Sequence, residues 1–385
     1  MTVEAIKTVE AIKTVAVIGA GAMGRGIAQV VAMAGYEVRL FDSNESALAN
    51  GMEAIRAGLA KLESKGRVTL ELSERIRSEL LEPHDKLEVA IESADLIIEA
   101  VPESREIKNS LHGALRKLLN SEKTVVASNT STFSITGLGE ASGRPDRFLG
   151  LHFFNPPTIM KLIEVIKGER TSGETLELGL EFARKLGKTP VLVRKDTPGF
   201  IVNRINAASF ALFQTIAERG ALRPAAIDAA MRDHGWPMGP FELMDYIGLD
   251  VMIGMGDCFA HELHADYRPP AHLKEMSDNG RLGRKTGTGY FDWSGGRPNS
   301  ATALPAIADF DPRDAILVQF NEAMKLVQDG VCSENEADLA MKLGNGVAMG
   351  PIETCRAIPA PNRSVRLADL ANRFDLEMFG PSDRK

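Results

Sequence analysis

Cysteine is scarce in this chain. Three of them, Cys258, Cys332 and Cys355, are spread over 385 residues, too few and too far apart for a disulfide framework or a zinc site, so no metal is expected. Long apolar runs are missing too: none approaches the roughly 20 residues that cross a bilayer, and the N-terminus has no apolar core of a signal peptide. The expectation is a protein of the reducing cytoplasm with no membrane partner. An excess of positive charge is the third absence. Lysine and arginine number 45 against 52 aspartates and glutamates, a formal charge of -7, which leaves no basic stripe for nucleic acid, although local basic residues can still meet a phosphorylated ligand.

What is present is ordinary soluble composition, 44% hydrophobic and 25% charged, with length for two or three domains and a substantial core. The hexapeptide TVEAIK occurs at Thr2 to Lys7 and again at Thr8 to Lys13; it reads as an extended or misassigned start without functional content. From Thr14 the chain runs TVAVIGAGAMGRGIAQVVAMAGYEVRLFD, an apolar strand, a glycine turn, a small-residue helix, a second strand and a terminal acid. Gly19, Gly21 and Gly24 form G-x-G-x-x-G in the setting that gives that motif meaning. The first glycine permits the tight turn, the second lets backbone approach a pyrophosphate, and the third lets helix and strand pack closely. The helix N-terminus supplies the anion site. Asp42 ends the second strand, where a carboxylate accepts hydrogen bonds from ribose hydroxyls and repels a 2′-phosphate, so NAD is favoured over NADP.

Residues 45 to 80 read as helical, with Leu48, Met52, Ile55, Leu59 and Leu62 at helical spacing. DLIIEAV at 95–101 and TVVAS at 124–128 are continuous apolar runs suited to buried parallel strands, with a charged helix from about Arg105 to Leu119 between them. Polar residues follow each strand: Glu99 and Glu103, then Asn129, Thr130, Ser131 and Thr132. In an open α/β sheet such ends face the crevice that holds ligands; the plainer reading of the NTST run is a cap or turn. PVLVRK at 190–195 is a last strand, after which Thr197 and Pro198 suggest a helix start.

Between these lies the stretch Phe148 to Gly168, FLGLHFFNPPTIMKLIEVIKG. It sets His152 and Glu164 on two apolar strand-like runs separated by a Pro-Pro turn. Burying either alone is costly, so the two are expected to pair.

Past residue 199 the pattern turns helical, with apolar positions at Ile201, Ile205, Phe210, Phe213 and Ile216, then Ile227, Ala230 and Met231; another helix begins at Met238-Gly-Pro240, and Gly283 to Trp293 closes the unit as a glycine-rich loop. A polar linker, RPNSAT, follows. Residues 326–351 then echo residues 216–240: Gly330 matches Gly220, Asp338 matches Asp228, Met341 matches Met231, and both end in Met-Gly-Pro, which points to a duplicated helical unit. Where the first copy has Met244-Asp245 the second has Cys355-Arg356. The segment from Pro361 to Lys385 reads as a charged, partly mobile tail.

The pieces VAVIGAGAMGRGIA, LIIEAVPE, ASNTST, RFLGLHFFNP, MKLIEVI, DTPGFIVNRI, MGPFELMDYIGLD and GRKTGTGYFDW together resemble the L-3-hydroxyacyl-CoA dehydrogenases, of the 3-hydroxybutyryl-CoA kind, over roughly residues 14 to 294. The helical echo after residue 300 resembles members with a duplicated C-terminal domain. The resemblance implies an α/β Rossmann-type NAD-binding domain at 14–196, an all-α domain at 197–296 and a second, partial helical repeat at 306–385. It implies His152 as catalytic base, Glu164 as its acidic partner, and Ser131 and Asn203 as contacts to substrate and nicotinamide. Gly19, Gly21, Gly24, Asp42, Glu103, Lys108, Ser131 and Lys285 fall at cofactor positions. Lys65 falls where the family has a lysine near the CoA phosphates, and Gly58 stands where a companion serine is expected. The implied reaction is reversible oxidation of a short-chain (3S)-3-hydroxyacyl-CoA by NAD, in a homodimer or in a monomer made pseudo-dimeric by its repeat. An imidazole, which titrates in the neutral range, suits proton transfer in both directions. Two other readings remain open at this point: a dehydrogenase of a free hydroxy acid such as carnitine or a sugar acid, and a non-catalytic, crystallin-like protein.

Overall fold

The computed structural model describes residues 12–220, 223–298 and 310–382, and the chain divides into two compact units, Met1–Thr197 and Pro198–Lys385. The TVEAIK duplication up to residue 11, most of the RPNSAT linker and the expected start of the second repeat at residue 306 lie outside the described residues.

The first unit alternates strands and helices: β1 (Thr14–Ile18), α1 (Ala22–Met33), β2 (Glu37–Phe41), α2 (Glu45–Ser64), α3 (Leu70–Arg75), β3 (Leu81–His84), α4 (Leu87–Ile91), β4 (Leu96–Glu99), α5 (Arg105–Leu118), β5 (Val125–Ser128), α6 (Ile135–Ser142), β6 (Phe148–Phe153), β7 (Leu162–Ile166), α7 (Gly173–Lys185) and β8 (Thr189–Val193). The sheet order is β3-β2-β1-β4-β5-β6-β7-β8, parallel except for the antiparallel pair β6 and β7. Strands β1, β4 and β5 are buried throughout, which is why their sequences are continuous apolar runs rather than alternating ones. Helix starts follow cap chemistry: Asn44, Ser104, Ser134 and Ser172 each accept a hydrogen bond from a first-turn N–H, as short polar side chains at that position do.

The helical pattern over residues 45–80 divides at Lys65-Gly66, where the sequence expects the first of its helices to end. Lys65 closes α2, Gly66 takes a left-handed φ of +65°, and Thr69 caps α3 anew. Strand β3 had no sequence signal, because an edge strand reading Leu-Glu-Pro-His carries exposed polar residues and a proline.

The second unit is helical: α8 (Val202–Glu218), α9 (Pro224–Asp233), α10 (Pro240–Ile247), α11 (Leu249–Glu262), α12 (Ala271–Asp278), α13 (Pro312–Gln328), α14 (Glu334–Asn345), α15 (Pro351–Cys355) and α16 (Ala360–Phe374). The helix expected from Thr197 and Pro198 begins instead at Val202, because Gly199 and Phe200 both hold positive φ, +73° and +53°, and a left-handed pair cannot lie inside an α-helix. The expected tail is also corrected: α16 occupies most of it and buries Leu367, Leu370 and Phe374. Asp228 in α9 accepts from Phe241 N (2.8 Å) and Glu242 N (3.0 Å) at the start of α10. Asp338 in α14 accepts likewise from Ile352 N and Glu353 N, both at 2.9 Å, at the start of α15. Helices α8 and α13 are joined by buried polar contacts, Arg204 Nε to Glu322 Oε1 at 2.6 Å and Gln319 Nε2 to Ser209 Oγ at 2.9 Å. Asp245 gathers the glycine-rich loop by accepting from Tyr290 N, Phe291 N and Trp293 Nε1. Among the described residues, no helix is long and apolar enough to cross a membrane.

Candidate active site

The glycine turn joins β1 to α1, and its three glycines do different things. Gly19 has φ of +108°, and a Cβ there would lie 2.5 Å from Ala100 O, so the turn passes against the end of β4 with no room for a side chain. A Cβ on Gly24 would lie 1.7 Å from Gly19 O, which lets the first turn of α1 close onto the strand end. A Cβ on Gly21 would meet nothing within 4 Å. That position is thus left open toward space rather than filled by protein, and no side chain caps α1. An uncapped helix N-terminus beside open space is the cradle a pyrophosphate requires. Asp42 flanks it: Oδ2 accepts from Ala20 N at 2.8 Å and Oδ1 from Asn44 N at 2.9 Å, which fixes the carboxylate while leaving lone pairs for ribose hydroxyls. These residues fit a dinucleotide.

His152 and Glu164 are directly opposite each other in the β6–β7 ladder, which puts both side chains on one face. Their neighbours Leu151, Phe153, Ile163 and Val165 point the other way, into the hydrophobic core. Glu164 is fully buried and His152 is 4% exposed. Nδ1 of His152 lies 2.6 Å from Glu164 Oε2, and its Nε2 lies 3.0 Å from Ser131 Oγ. A carboxylate at that distance requires the proton on Nδ1, so in the neutral ring Nε2 carries the free lone pair and Ser131 donates to it.

Ser131 is held in turn by Glu103, whose Oε1 accepts from Ser131 N at 2.9 Å, Thr132 N at 3.0 Å, Thr132 Oγ1 at 2.8 Å and the Thr130 hydroxyl. Below this loop the ends of β4 and β5 meet a buried charge cluster. Lys108 Nζ lies 2.7 Å from Glu99 Oε1 and 3.1 Å from Glu103 Oε2, and Ser128 Oγ donates to Glu99 Oε2 at 2.5 Å. Burial pushes the Glu99 carboxyl up, but the Lys108 ammonium and the Ser128 hydroxyl outweigh it and hold it below the usual carboxylate range. His112 Nε2 stands 3.7 Å from Glu99 Oε2, too far for a hydrogen bond, and its ring lies edge-on to Phe148.

Of the residues singled out from sequence, the first unit brings together His152, Glu164, Ser131, Glu103 and Lys108. Asn203 and Lys285 belong to the second unit: Asn203 is in the first turn of α8, and Lys285 pairs with Asp250 at 2.6 Å. Lys65 is exposed at the end of α2. A Cβ on Gly58 would come 2.8 Å from Gln29 Oε1, so the Gln29 amide occupies the space a serine would need. Sequence reasoning missed Ser128 and His112 as parts of the site; Asn129, expected at a strand end facing the crevice, accepts at Oδ1 from Phe153 N at 2.8 Å and ties the two strand ends together. A signal existed for one of them, since Glu99 and Ser128 are the polar last residues of otherwise apolar strands and are register partners.

Comparison with known proteins agrees over both units. The profile of the 3-hydroxyacyl-CoA dehydrogenase NAD binding domain matches residues 14–197, and that of the 3-hydroxyacyl-CoA dehydrogenase C-terminal domain matches residues 199–293 and 315–360. The mitochondrial hydroxyacyl-coenzyme A dehydrogenase of Homo sapiens is 41% identical over 286 residues, 72% of this chain and 90% of that one. The 3-hydroxybutyryl-CoA dehydrogenase of Bradyrhizobium diazoefficiens is 43% identical over 290 residues, 73% of this chain and 96% of that one. A solved structure, 3-hydroxybutyryl-CoA dehydrogenase from Escherichia coli, superposes with a TM-score of 0.86 at 28% identity and covers 97% of both chains. With a glycine cradle, a matching profile over each unit and relatives of this kind, the chain belongs to the 3-hydroxyacyl-CoA dehydrogenase family and uses NAD as its cofactor.

Proposed function

We propose that the chain catalyses the reversible, NAD-dependent oxidation of short-chain (3S)-3-hydroxyacyl-CoA to 3-oxoacyl-CoA. The observation that carries this reading is the histidine held at both ring nitrogens, by Glu164 at 2.6 Å and Ser131 at 3.0 Å. Relatives named for 3-hydroxybutyryl-CoA support the short chain.

NAD, when bound, supplies the acceptor for the hydride that leaves C3. Gly21 and the N-terminus of α1 would hold its pyrophosphate and Asp42 a ribose. The residues of the chain handle the proton. His152 Nε2 takes it from the substrate hydroxyl, and in the reverse direction returns it to the 3-oxo group. Glu164 keeps the proton on Nδ1 and stabilises the imidazolium as it forms. Ser131 orients Nε2 and supplies a hydroxyl beside the reacting oxygen. On the family pattern Asn203 contacts substrate, Lys285 the cofactor and Lys65 the CoA phosphates. Three cysteines in 385 residues suit a reducing cytoplasm.

We also take α13, α14 and α15 as a second copy of α8, α9 and α10, on the matching roles of Asp228 and Asp338, so that the repeat stands in for a partner subunit. Light scattering should then find a monomer, and a stable dimer would count against that assignment.

The test of activity compares acetoacetyl-CoA with acetoacetate, each with NADH, followed by loss of NADH absorbance. Turnover of the thioester far above the free acid is expected. A preference for acetoacetate would replace the substrate class by a free hydroxy acid, and turnover of neither would leave a non-catalytic protein.

A further inference from the structure

The buried cluster beneath the Ser131 loop has a geometry that the proton chemistry alone does not require. Glu99 is 0% exposed and Lys108 1%, so Glu99 does not meet a ligand directly. Buried charges persist where further hydrogen bonds hold them, and those of the Glu99 carboxylate lead toward the Ser131 loop. From Glu99 two hydrogen-bonded arms rise to the same loop. One goes through Lys108 Nζ, at 2.7 Å, to Glu103 Oε2, at 3.1 Å, and from Glu103 Oε1 to Ser131 N, at 2.9 Å. The other goes through Ser128 Oγ, at 2.5 Å, to Thr130 N, at 3.2 Å. Both arms end on residues flanking or forming the peptide that carries Ser131 Oγ to His152 Nε2. The carboxylate also accepts from Val101 N at 3.0 Å, which fixes the start of the segment leading to Glu103.

We infer that Glu99 is a positioning residue: through Lys108 and Ser128 it braces the Ser131 loop, and so sets the orientation of His152 for proton transfer. This rests on the dehydrogenase reading above and adds to it a residue that touches neither substrate nor cofactor. Each arm is short and made of charge-assisted or hydroxyl bonds with little freedom, so the loop is held from two directions at once. Replacing the Glu99 carboxylate by an amide weakens both arms together, because Lys108 loses a counter-charge and Ser128 loses an ionised acceptor.

A double-mutant cycle tests this. The variants are Glu99→Gln, Ser131→Ala and the two combined, with kcat and KM measured for acetoacetyl-CoA and NADH. Glu99→Gln should lower kcat by about 10²-fold, the size expected for a misplacement of roughly 1 Å, with KM for NADH near wild type. In the Ser131→Ala background the same change should lower kcat no further, because the group through which Glu99 acts is gone. A wild-type kcat in Glu99→Gln, or an equal loss in both backgrounds, would overturn the brace. If Glu99→Gln fails to fold, Glu99→Gln/Lys108→Met removes both buried charges together and should show the same kcat loss and the same dependence on Ser131; loss of that dependence would overturn the proposal equally. Failure of the wild-type protein to reduce acetoacetyl-CoA would instead count against the dehydrogenase reading. The two failures are therefore distinguishable.

Discussion

Glu164→Gln is the most informative single change, because it keeps the shape of the β7 side chain and removes only its charge. In the resting site the neutral imidazole donates Nδ1–H to Glu164 at 2.6 Å, and a glutamine carbonyl can accept the same bond. The difference arises as Nε2 takes the substrate proton. The ring is then an imidazolium in a place where His152 is 4% exposed and residue 164 fully buried, and it no longer faces a carboxylate. Leaving a buried charge without its partner costs about 3–5 kcal/mol. Because the imidazolium forms only during the reaction, that cost falls on the barrier, and at about 1.4 kcal/mol per tenfold it corresponds to a loss of roughly 10²–10⁴ in kcat. The amide can also turn its NH2 toward Nδ1 and force the proton onto Nε2, which adds to the loss. The assay is steady-state reduction of acetoacetyl-CoA by NADH, with NADH affinity followed by fluorescence and thermal unfolding as the control for folding. Near-normal NADH affinity and a Tm close to wild type should accompany the drop. A folded Glu164→Gln enzyme with wild-type kcat would refute the pairing argument.

Three further outcomes follow from other parts of the site. Gly21→Ala should fold normally, since its Cβ would meet no protein atom within 4 Å, yet lose NADH affinity, whereas Gly24→Ala should disturb folding as well because its Cβ would lie 1.7 Å from Gly19 O; unchanged NADH binding in Gly21→Ala would remove the pyrophosphate from that place. Asp42→Asn should raise KM for NAD by roughly tenfold and narrow the preference over NADP, as loss of a charged hydrogen-bond acceptor does, and an unaltered preference would contradict the role of the carboxylate. Glu99 is held below its ordinary 4.5 by Lys108 and Ser128, so its ionised form contributes stability that is complete above pH 4.5 and is lost as pH falls below it. Denaturant unfolding should therefore show the gap between wild type and Glu99→Gln shrinking from pH 5 to pH 3, and a constant gap would contradict it.

How much of this was legible in the sequence depended on whether the signal was local. The glycine turn, the buried strands and Asp42 could be read because strand, turn and helix chemistry are all contained in one short stretch. The pairing of His152 with Glu164 was readable for the same reason: a hairpin-like segment with a polar residue in each apolar run places the two across one ladder, and they are direct register partners. The brace from Glu99 was not readable. It joins residues of β4, α5 and β5 that are up to 29 positions apart, and nothing in a helix reading of Arg105 to Leu119 says that Lys108 turns inward. The start of α8 was misplaced because Pro198 suits a first helical position, while the left-handed turn at Gly199 and Phe200 is imposed by the fold, with a Cβ on Gly199 lying 2.4 Å from the Phe259 ring. The tail misled through its composition: Arg363, Arg366 and Arg373 give it charge, but Arg366 pairs with Asp314 at 2.7 Å and its apolar stripe is buried.

The most direct test of the central claim, that His152 carries the proton between substrate and solvent, is single-turnover reduction of acetoacetyl-CoA by NADH in His152→Gln. Hydride transfer should slow by about 10²–10⁴-fold, as for removal of a general acid–base group, while NADH binds with near wild-type affinity. Hydride transfer at the wild-type rate in that variant would contradict the account.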